Sequence, residues 1–130
     1  MPNVLIVEDD EERIKWFRRE IPPSWNVLDT KDPVQAVKWL MSHEFDYIFL
    51  DHDLDFEAYE DQECKNDSST TGYAVALWLE AHNDKQPGAE IFIHTCNTVG
   101  GDRMFQALKG RKVNRIAFPE LKKKLKFNED

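Results

Sequence analysis

The residues best suited to chemistry in this sequence follow three short apolar runs. Each run is succeeded at once by carboxylates, an imidazole or an amide. These polar residues are Glu8, Asp9 and Asp10 after residues 4–7, then Asp51, His52 and Asp53 after residues 47–50, and His94, Thr95 and Asn97 after residues 90–93. Such runs predict buried strands of a parallel sheet, and ligands of these sheets bind outside the carboxyl ends of the strands. We therefore expect the polar side chains to form one site.

The elements that must position these residues alternate between strands and helices. A first helix is predicted over residues 11–20 and is stopped by Pro22-Pro23. Asp32-Pro33 supplies an N-cap and a first helical residue for the second helix. Further strands are predicted over 25–28 and 113–118, and further helices over 72–82, 102–108 and 120–127. Five such units predict an α/β fold with a doubly wound, five-stranded parallel sheet of the flavodoxin-like order 2-1-3-4-5. Strands one, three and four would then be neighbours, and their polar ends would meet.

Length and composition predict one domain over residues 1–130. The sequence has 130 residues, of which 41% are hydrophobic, and this suffices for a single core. Residues 55–71 are polar and acidic and are predicted to be a long insertion loop that acts as a lid. Neither a membrane span nor a signal peptide is indicated, so a cytoplasmic location is expected. Cys64 and Cys96 are expected to be free thiols.

The charge of the chain is unevenly distributed. Residues 1–102 carry 8 basic and 22 acidic side chains, whereas residues 103–126 carry 9 basic and one acidic. One interpretation of the basic segment is a solvated helix face. The other is a surface that binds a polyanion such as RNA, or a protein partner. The sequence leaves both open.

Two segments of the sequence resemble the receiver domains of response regulators. Residues 4–10 and 45–51 carry this resemblance. It implies that Glu8, Asp9 and Asp10 match a magnesium-binding acidic cluster and that Asp51 matches the phospho-acceptor aspartate. Receivers end their fifth strand in Lys-Pro, and the lysine contacts the phosphoryl group. Here Phe118-Pro119 stands at that place, which argues against phosphotransfer signalling.

A closer resemblance is to cyclic-phosphate processing receiver domains. It is carried by LDHDL at 50–54, TGY at 71–73, HTCNTVG at 94–100 and the later Met104. The resemblance covers nearly the whole chain and implies a receiver fold. It also implies a phosphodiesterase that processes 2′,3′-cyclic-phosphate RNA ends or a cyclic nucleotide, as in RNA repair by bacterial or phage proteins.

Opening a cyclic phosphodiester requires a base for the attacking water and an acid for the leaving oxygen. His52 and His94 are predicted to fill these two roles, because imidazoles titrate near neutral pH. Asp51 or Asp53 would orient an imidazole, as a carboxylate does in a catalytic triad. The predicted phosphate-binding groups are Asn97, Thr95, Gly100, Gly101 and Arg103.

The use of a metal is left open by the residue types. Glu8, Asp9 and Asp51 suit magnesium or manganese, whereas His52, Asp53 and His94 suit zinc. Two histidines need no metal, and a metal-independent site is favoured. Carboxylates this close together are expected to be partly protonated or paired with Arg13 or Arg103.

Several structural alternatives compete with the catalytic hypothesis. The histidines can be hydrogen-bonded structural residues, the aspartates can cap turns and helices, Gly100-Gly101 can be a turn and Met104 can be core. The alternative function is therefore a catalytically inactive pseudo-receiver that binds a protein through residues 103–126, or a module that binds a cyclic phosphate without cleaving it.

Overall fold

The computed structural model describes residues 2–51, 72–94 and 98–124. Within these ranges strands and helices alternate along the chain. The elements are β1 (Asn3–Val7), α1 (Glu11–Glu20), β2 (Asn26–Thr30), α2 (Pro33–Ser42), β3 (Tyr47–Leu50), α3 (Gly72–Ala81), β4 (Glu90–Ile93), α4 (Thr98–Ala107), β5 (Val113–Arg115) and α5 (Phe118–Lys124). All strand pairs are parallel and the order is β2-β1-β3-β4-β5, which confirms the predicted fold.

The sheet is buried on both faces, as its unbroken apolar strands predict. Side chains alternate along each strand, so successive residues contribute to different cores. One core contains Leu5, Val7, Ile48, Leu50, Ile91 and Ile93 and is covered by residues of α2, α3 and α4. The other contains Val4, Ile6, Phe49 and Phe92 and is covered by Phe17 of α1 and by Phe118 and Leu121 of α5. Helices on both faces fix the sheet, whose carboxyl edge carries the polar residues.

The first two helices begin where the sequence predicts. The Asp10 carboxylate accepts hydrogen bonds from the backbone N–H groups of Glu12 and Arg13 and caps α1. The Asp32 carboxylate accepts from the Val34 N–H, and Pro33 occupies the first turn of α2. Both caps satisfy N–H groups that have no partner inside the helix. The alternative role of Asp10 as a cap is thereby confirmed.

Several predicted boundaries are wrong. Strand β2 runs over Asn26–Thr30 rather than over residues 25–28, and α5 begins at Phe118 rather than at residue 120. The helix predicted over 102–108 begins at Thr98 and includes Gly100 and Gly101. No described glycine has a positive φ, so these two residues form helix rather than a turn. The strand predicted over 113–118 ends at Arg115, because Phe118-Pro119 already opens α5. Proline fits a first helical turn, where its missing N–H costs nothing.

No helix in the described part of the chain is long and apolar enough to cross a membrane.

Candidate functional site

The hydrogen-bond ladder of the sheet continues one residue beyond three strands and brings three polar residues together. The Asp51 N–H donates to Val7 O at 3.0 Å, and the His94 N–H donates to Leu50 O at 3.0 Å. Glu8 is held in the same way, because its N–H donates to Thr30 O at 3.0 Å. The backbones of all three residues are therefore fixed by the sheet, which confirms that the polar ends of strands β1, β3 and β4 meet.

The closest contact of the site joins Glu8 to His94. The distance from His94 Nε2 to Glu8 Oε1 is 2.5 Å, and both side chains are fully buried. The second Glu8 oxygen accepts a hydrogen bond from the Asp10 N–H at 3.0 Å. A contact this short requires one proton between the two groups. The carboxylate that contacts the predicted catalytic imidazole is thus that of Glu8.

The His94 ring lies beneath the site, with aromatic side chains around it. Phe17 meets it edge to face with the ring centroids 5.5 Å apart, and the Phe118 ring lies at 6.1 Å. Within the described residues Nδ1 has no hydrogen-bond partner. A ring nitrogen in apolar surroundings strongly disfavours the charged imidazolium.

Burial shifts the two pKa values in opposite directions. Desolvation raises the pKa of Glu8 to about 7, although its hydrogen bond with Asp10, the Arg13 charge and a hydrogen bond with Asp51 all lower it. Desolvation also lowers the pKa of His94 to about 4, although the Asp51 charge raises it. Near neutral pH the imidazole is therefore neutral, and the Glu8 carboxyl is close to its own titration point. The direction of the Glu8 shift is the one expected for a carboxyl of the cluster that is partly protonated.

Arg13 supplies the positive charge expected beside the carboxylates. Its Nη1 atom lies 3.8 Å from Glu8 Oε1 and 3.7 Å from Asp51 Oδ2. The Asp51 side chain is 7% exposed and that of Arg13 is 24% exposed, so these two groups connect the buried pair to the protein surface. Asp9 is half-buried, and its charge raises the pKa of Glu8.

The Phe118 ring supports this arginine. The guanidinium carbon of Arg13 lies 4.9 Å from the centre of the ring. The Phe118 N–H donates to His94 O at 3.1 Å, so the backbone of Phe118 is attached to the same edge of the sheet. Trp16 contacts the ring edge to face, with the centroids 5.4 Å apart.

Gly72 allows α3 to begin directly against Asp51. A Cβ atom on Gly72 would lie 1.8 Å from the Asp51 carbonyl oxygen and 3.4 Å from Met104 Cε. No side chain fits there without movement of the helix or of the Asp51 backbone. The Gly-Tyr start of the helix is therefore a packing requirement of the site. Met104 is fully buried, which confirms its alternative role as a core residue.

Three residues of the site could hold a metal ion. One ligand atom each from Glu8, Asp51 and His94 lies within 4.8 Å of the other two. Two of the three predicted carboxylate ligands, Glu8 and Asp51, belong to this group, in which His94 stands in place of the predicted Asp9. Two oxygens and a nitrogen fit manganese or zinc better than magnesium, which prefers oxygen ligands alone.

The predicted phosphate-binding residues that the structure describes lie on α4. Gly100 and Gly101 are buried in the helix, and a Cβ on Gly101 would lie 2.9 Å from the guanidinium of Arg115. Arg103 is exposed and makes no hydrogen bond or ion pair with another described residue. The predicted residues His52, Asp53, Thr95 and Asn97, the loop 55–71 and Cys64 and Cys96 lie outside the described residues.

Comparisons with known proteins agree with this geometry. The solved structures that the chain matches include a receiver domain protein from Methanospirillum hungatei, with 16% identity over 92% of this chain and 82% of that chain and a TM-score of 0.64. They also include the signal receiver domain of a modulated diguanylate cyclase from Desulfovibrio desulfuricans (20% identity, 92% of this chain and 82% of that chain, TM-score 0.63) and the response regulator TrrA of Thermotoga maritima in complex with Mg²⁺-BeF (19% identity, 95% of this chain and 96% of that chain, TM-score 0.61). At these identities the likeness shows the fold. No curated protein matches the chain.

A sequence comparison identifies the family of the chain. Residues 4–110 match the model of the cyclic-phosphate processing receiver domain. This range contains Glu8, Arg13, Asp51 and His94 and ends before Phe118. The chain therefore belongs to the cyclic-phosphate processing receiver domain family.

Proposed function

We propose that the protein is a phosphodiesterase that opens cyclic phosphates, either at 2′,3′-cyclic RNA ends or in a cyclic nucleotide. The observation that carries the proposal is the buried Glu8–His94 pair next to Asp51. A carboxyl whose pKa lies near 7 exchanges its proton at physiological pH, as a general acid or base must. Family membership supports the substrate class.

In this mechanism His94 acts from below the site. Its ring is fully buried, and within the described residues Nε2 contacts the Glu8 carboxyl. A proton would therefore pass between His94 and Glu8 and reach the surface through Asp51, which shares a hydrogen bond with Glu8. His94 would hold the Glu8 proton ready, and His52 would be the imidazole that contacts the substrate. In this mechanism both histidines take part, but only His52 contacts the substrate.

A divalent ion held by Glu8, Asp51 and His94 would polarise a phosphoryl oxygen when bound. The proton transfers proposed above use the protein's own side chains. Activity in the presence of EDTA would separate the two cases.

The proposal is tested with a short RNA that ends in a 2′,3′-cyclic phosphate, incubated with the protein in EDTA or in Mn²⁺. We expect a 2′- or 3′-monophosphate end. His52→Ala should lower the rate about 10²- to 10⁴-fold, which is the range for loss of a general acid or base. His94→Gln should lower the rate as well, because it removes the group that holds the Glu8 proton. His43→Gln is the matched control, because His43 is exposed and follows α2. Cleavage that is unchanged in both variants would refute the two-histidine mechanism.

A second candidate is the binding module without catalysis. The complete burial of His94 favours it, since a buried imidazole with one nitrogen that has no hydrogen-bond partner among the described residues also suits a purely structural role. It predicts that RNA with a cyclic end binds and is recovered intact under both metal conditions. Recovery of intact, bound RNA would select this candidate.

A further inference from the structure

Arg13 places a guanidinium beside the Glu8–Asp51–His94 cluster, and its side chain is more exposed than those of the three cluster residues. Its side chain is 24% exposed, while those of Glu8 and Asp51 are 0% and 7% exposed. The guanidinium is therefore more accessible to an anion from solvent than the two carboxylates are.

The contacts of Arg13 with the carboxylates are electrostatic rather than tight. The distances of 3.8 Å to Glu8 and 3.7 Å to Asp51 exceed those of hydrogen bonds. A guanidinium carries five N–H donors in one plane, in a geometry that matches two oxygens of a phosphate. A phosphate beside Arg13 would therefore accept shorter, charge-assisted hydrogen bonds from the guanidinium than the contacts that these two carboxylates make.

Phe118 determines where this guanidinium can lie. The ring is 7% exposed, and its backbone is attached to His94 O at the carboxyl end of β4. The guanidinium carbon lies 4.9 Å from the ring centre, so the aromatic face keeps the charge over the site. A lysine lacks the planar group that stacks in this way.

We propose that Arg13 binds the phosphoryl oxygens of the substrate and that Phe118 holds its guanidinium in position. The inference rests on the proposed function, because it takes a phosphate ester as the ligand. It assigns the phosphate-binding cation to α1, whereas Arg103, the arginine that the sequence predicts for this role, is exposed on α4.

The inference is tested by calorimetric titration of adenosine 2′,3′-cyclic phosphate into the protein in EDTA, alongside the steady-state kinetics of its cleavage. Arg13→Gln should lower affinity at least tenfold and raise KM by a similar factor. Arg13→Lys should restore less than half of the lost binding free energy, because the charge returns without the planar fork. Phe118→Leu should weaken binding several-fold while the charge remains.

Lys15→Gln is the matched control. Lys15 lies on the same helix, is 68% exposed and pairs with Glu12, so binding should be unchanged. Thermal unfolding of each variant shows whether the fold is retained, and Arg13→Lys provides the comparison if Arg13→Gln is unstable.

The outcomes separate the two proposals. Binding that depends on Arg13, without cleavage in either EDTA or Mn²⁺, would support Arg13 as the phosphate ligand and refute the phosphodiesterase. Cleavage with an unchanged KM in Arg13→Gln would overturn the role of Arg13 and leave the phosphodiesterase intact. A wild-type protein that fails to bind the probe would also overturn the role of Arg13.

Discussion

The proton between Glu8 and His94 determines how this site contributes to stability at different pH. The ordinary pKa values are 4.5 for Glu8 and 6.5 for His94. Between pH 4.5 and pH 6.5 the unfolded chain therefore carries the one proton of this pair on His94. In the folded protein the Glu8 pKa is about 7 and the His94 pKa is about 4, so the single proton lies on Glu8 instead. Folding then changes no net proton count at this pair, and its contribution is nearly independent of pH in that window.

Replacing either Glu8 or His94 should make the free energy of unfolding depend on pH, with a sign that the remaining pKa shift determines. In Glu8→Gln the lowered His94 pKa remains, so the contribution of this site to the free energy of unfolding is full above pH 6.5 and is lost as the pH falls toward 4. In His94→Gln the raised Glu8 pKa remains, so stability is highest below pH 4.5 and is lost as the pH rises through 7. Each slope approaches about 1.4 kcal/mol per pH unit.

Denaturant unfolding in EDTA at pH values across this range measures both slopes. Asp32→Asn on α2 is a charge-matched control outside the site, because Asp32 caps a different helix. Two variant profiles that run parallel to each other would contradict the shared-proton description of the pair.

At the scale of elements, the start of α3 against Asp51 is the tightest junction beside the site. Gly72→Ala should lower the free energy of unfolding by about 1–3 kcal/mol, the usual cost of overpacking, because its Cβ would overlap the Asp51 carbonyl. Any catalytic activity should fall as well, since Asp51 must move. Gly88→Ala is the matched control, because a Cβ there meets no atom within 4 Å. Chemical denaturation of the two variants makes the comparison, and equal stability would show that α3 adjusts freely.

The sequence predicts the elements better than it predicts the pairs within the site. Unbroken apolar runs identify strands such as β3, whose predicted bounds are correct, and the Asp10 and Asp32 caps identify the starts of α1 and α2. The meeting of the strand ends follows from the strand order. The hydrogen-bond partner of His94 does not follow from the strand order. Glu8 lies 86 residues away, and the sequence favours Asp51 or Asp53 as the carboxylate that orients an imidazole. Glycine's low helix propensity similarly concealed the start of α4.

At the scale of the whole molecule, the basic segment 103–126 is divided between structural and exposed charges. Arg111 donates hydrogen bonds to Leu79 O at 2.9 Å and His82 O at 3.0 Å and so satisfies carbonyls at the end of α3. Arg115 pairs with Asp102. The exposed lysines of the segment include Lys109, Lys112 and Lys123, and they remain available to a polyanion.

If RNA is the substrate, these exposed lysines should carry its salt dependence. Replacing Lys109, Lys112 and Lys123 with glutamine should weaken binding of an RNA with a cyclic end and make the slope of log K against log salt less negative by about 2, at roughly 0.7 per contact with single-stranded RNA. Fluorescence anisotropy across a salt series gives this slope. The same replacement at Lys15, Lys31 and Lys38, which are exposed on or near the first two helices, changes the net charge equally. Equal losses in the two variants would assign the effect to net charge rather than to this surface.

The contact between Trp16 and Phe118 gives the protein an internal optical signal. Trp16 is one of 4 tryptophans, and its indole lies edge to face against the Phe118 ring, over which the Arg13 guanidinium lies. Movement of the Arg13 guanidinium alters the electric field at this indole, and tryptophan emission responds to that field. Ligand occupancy can therefore be followed by intrinsic fluorescence without a label, and Trp16→Phe should remove that part of the signal while it preserves an aromatic contact with Phe118.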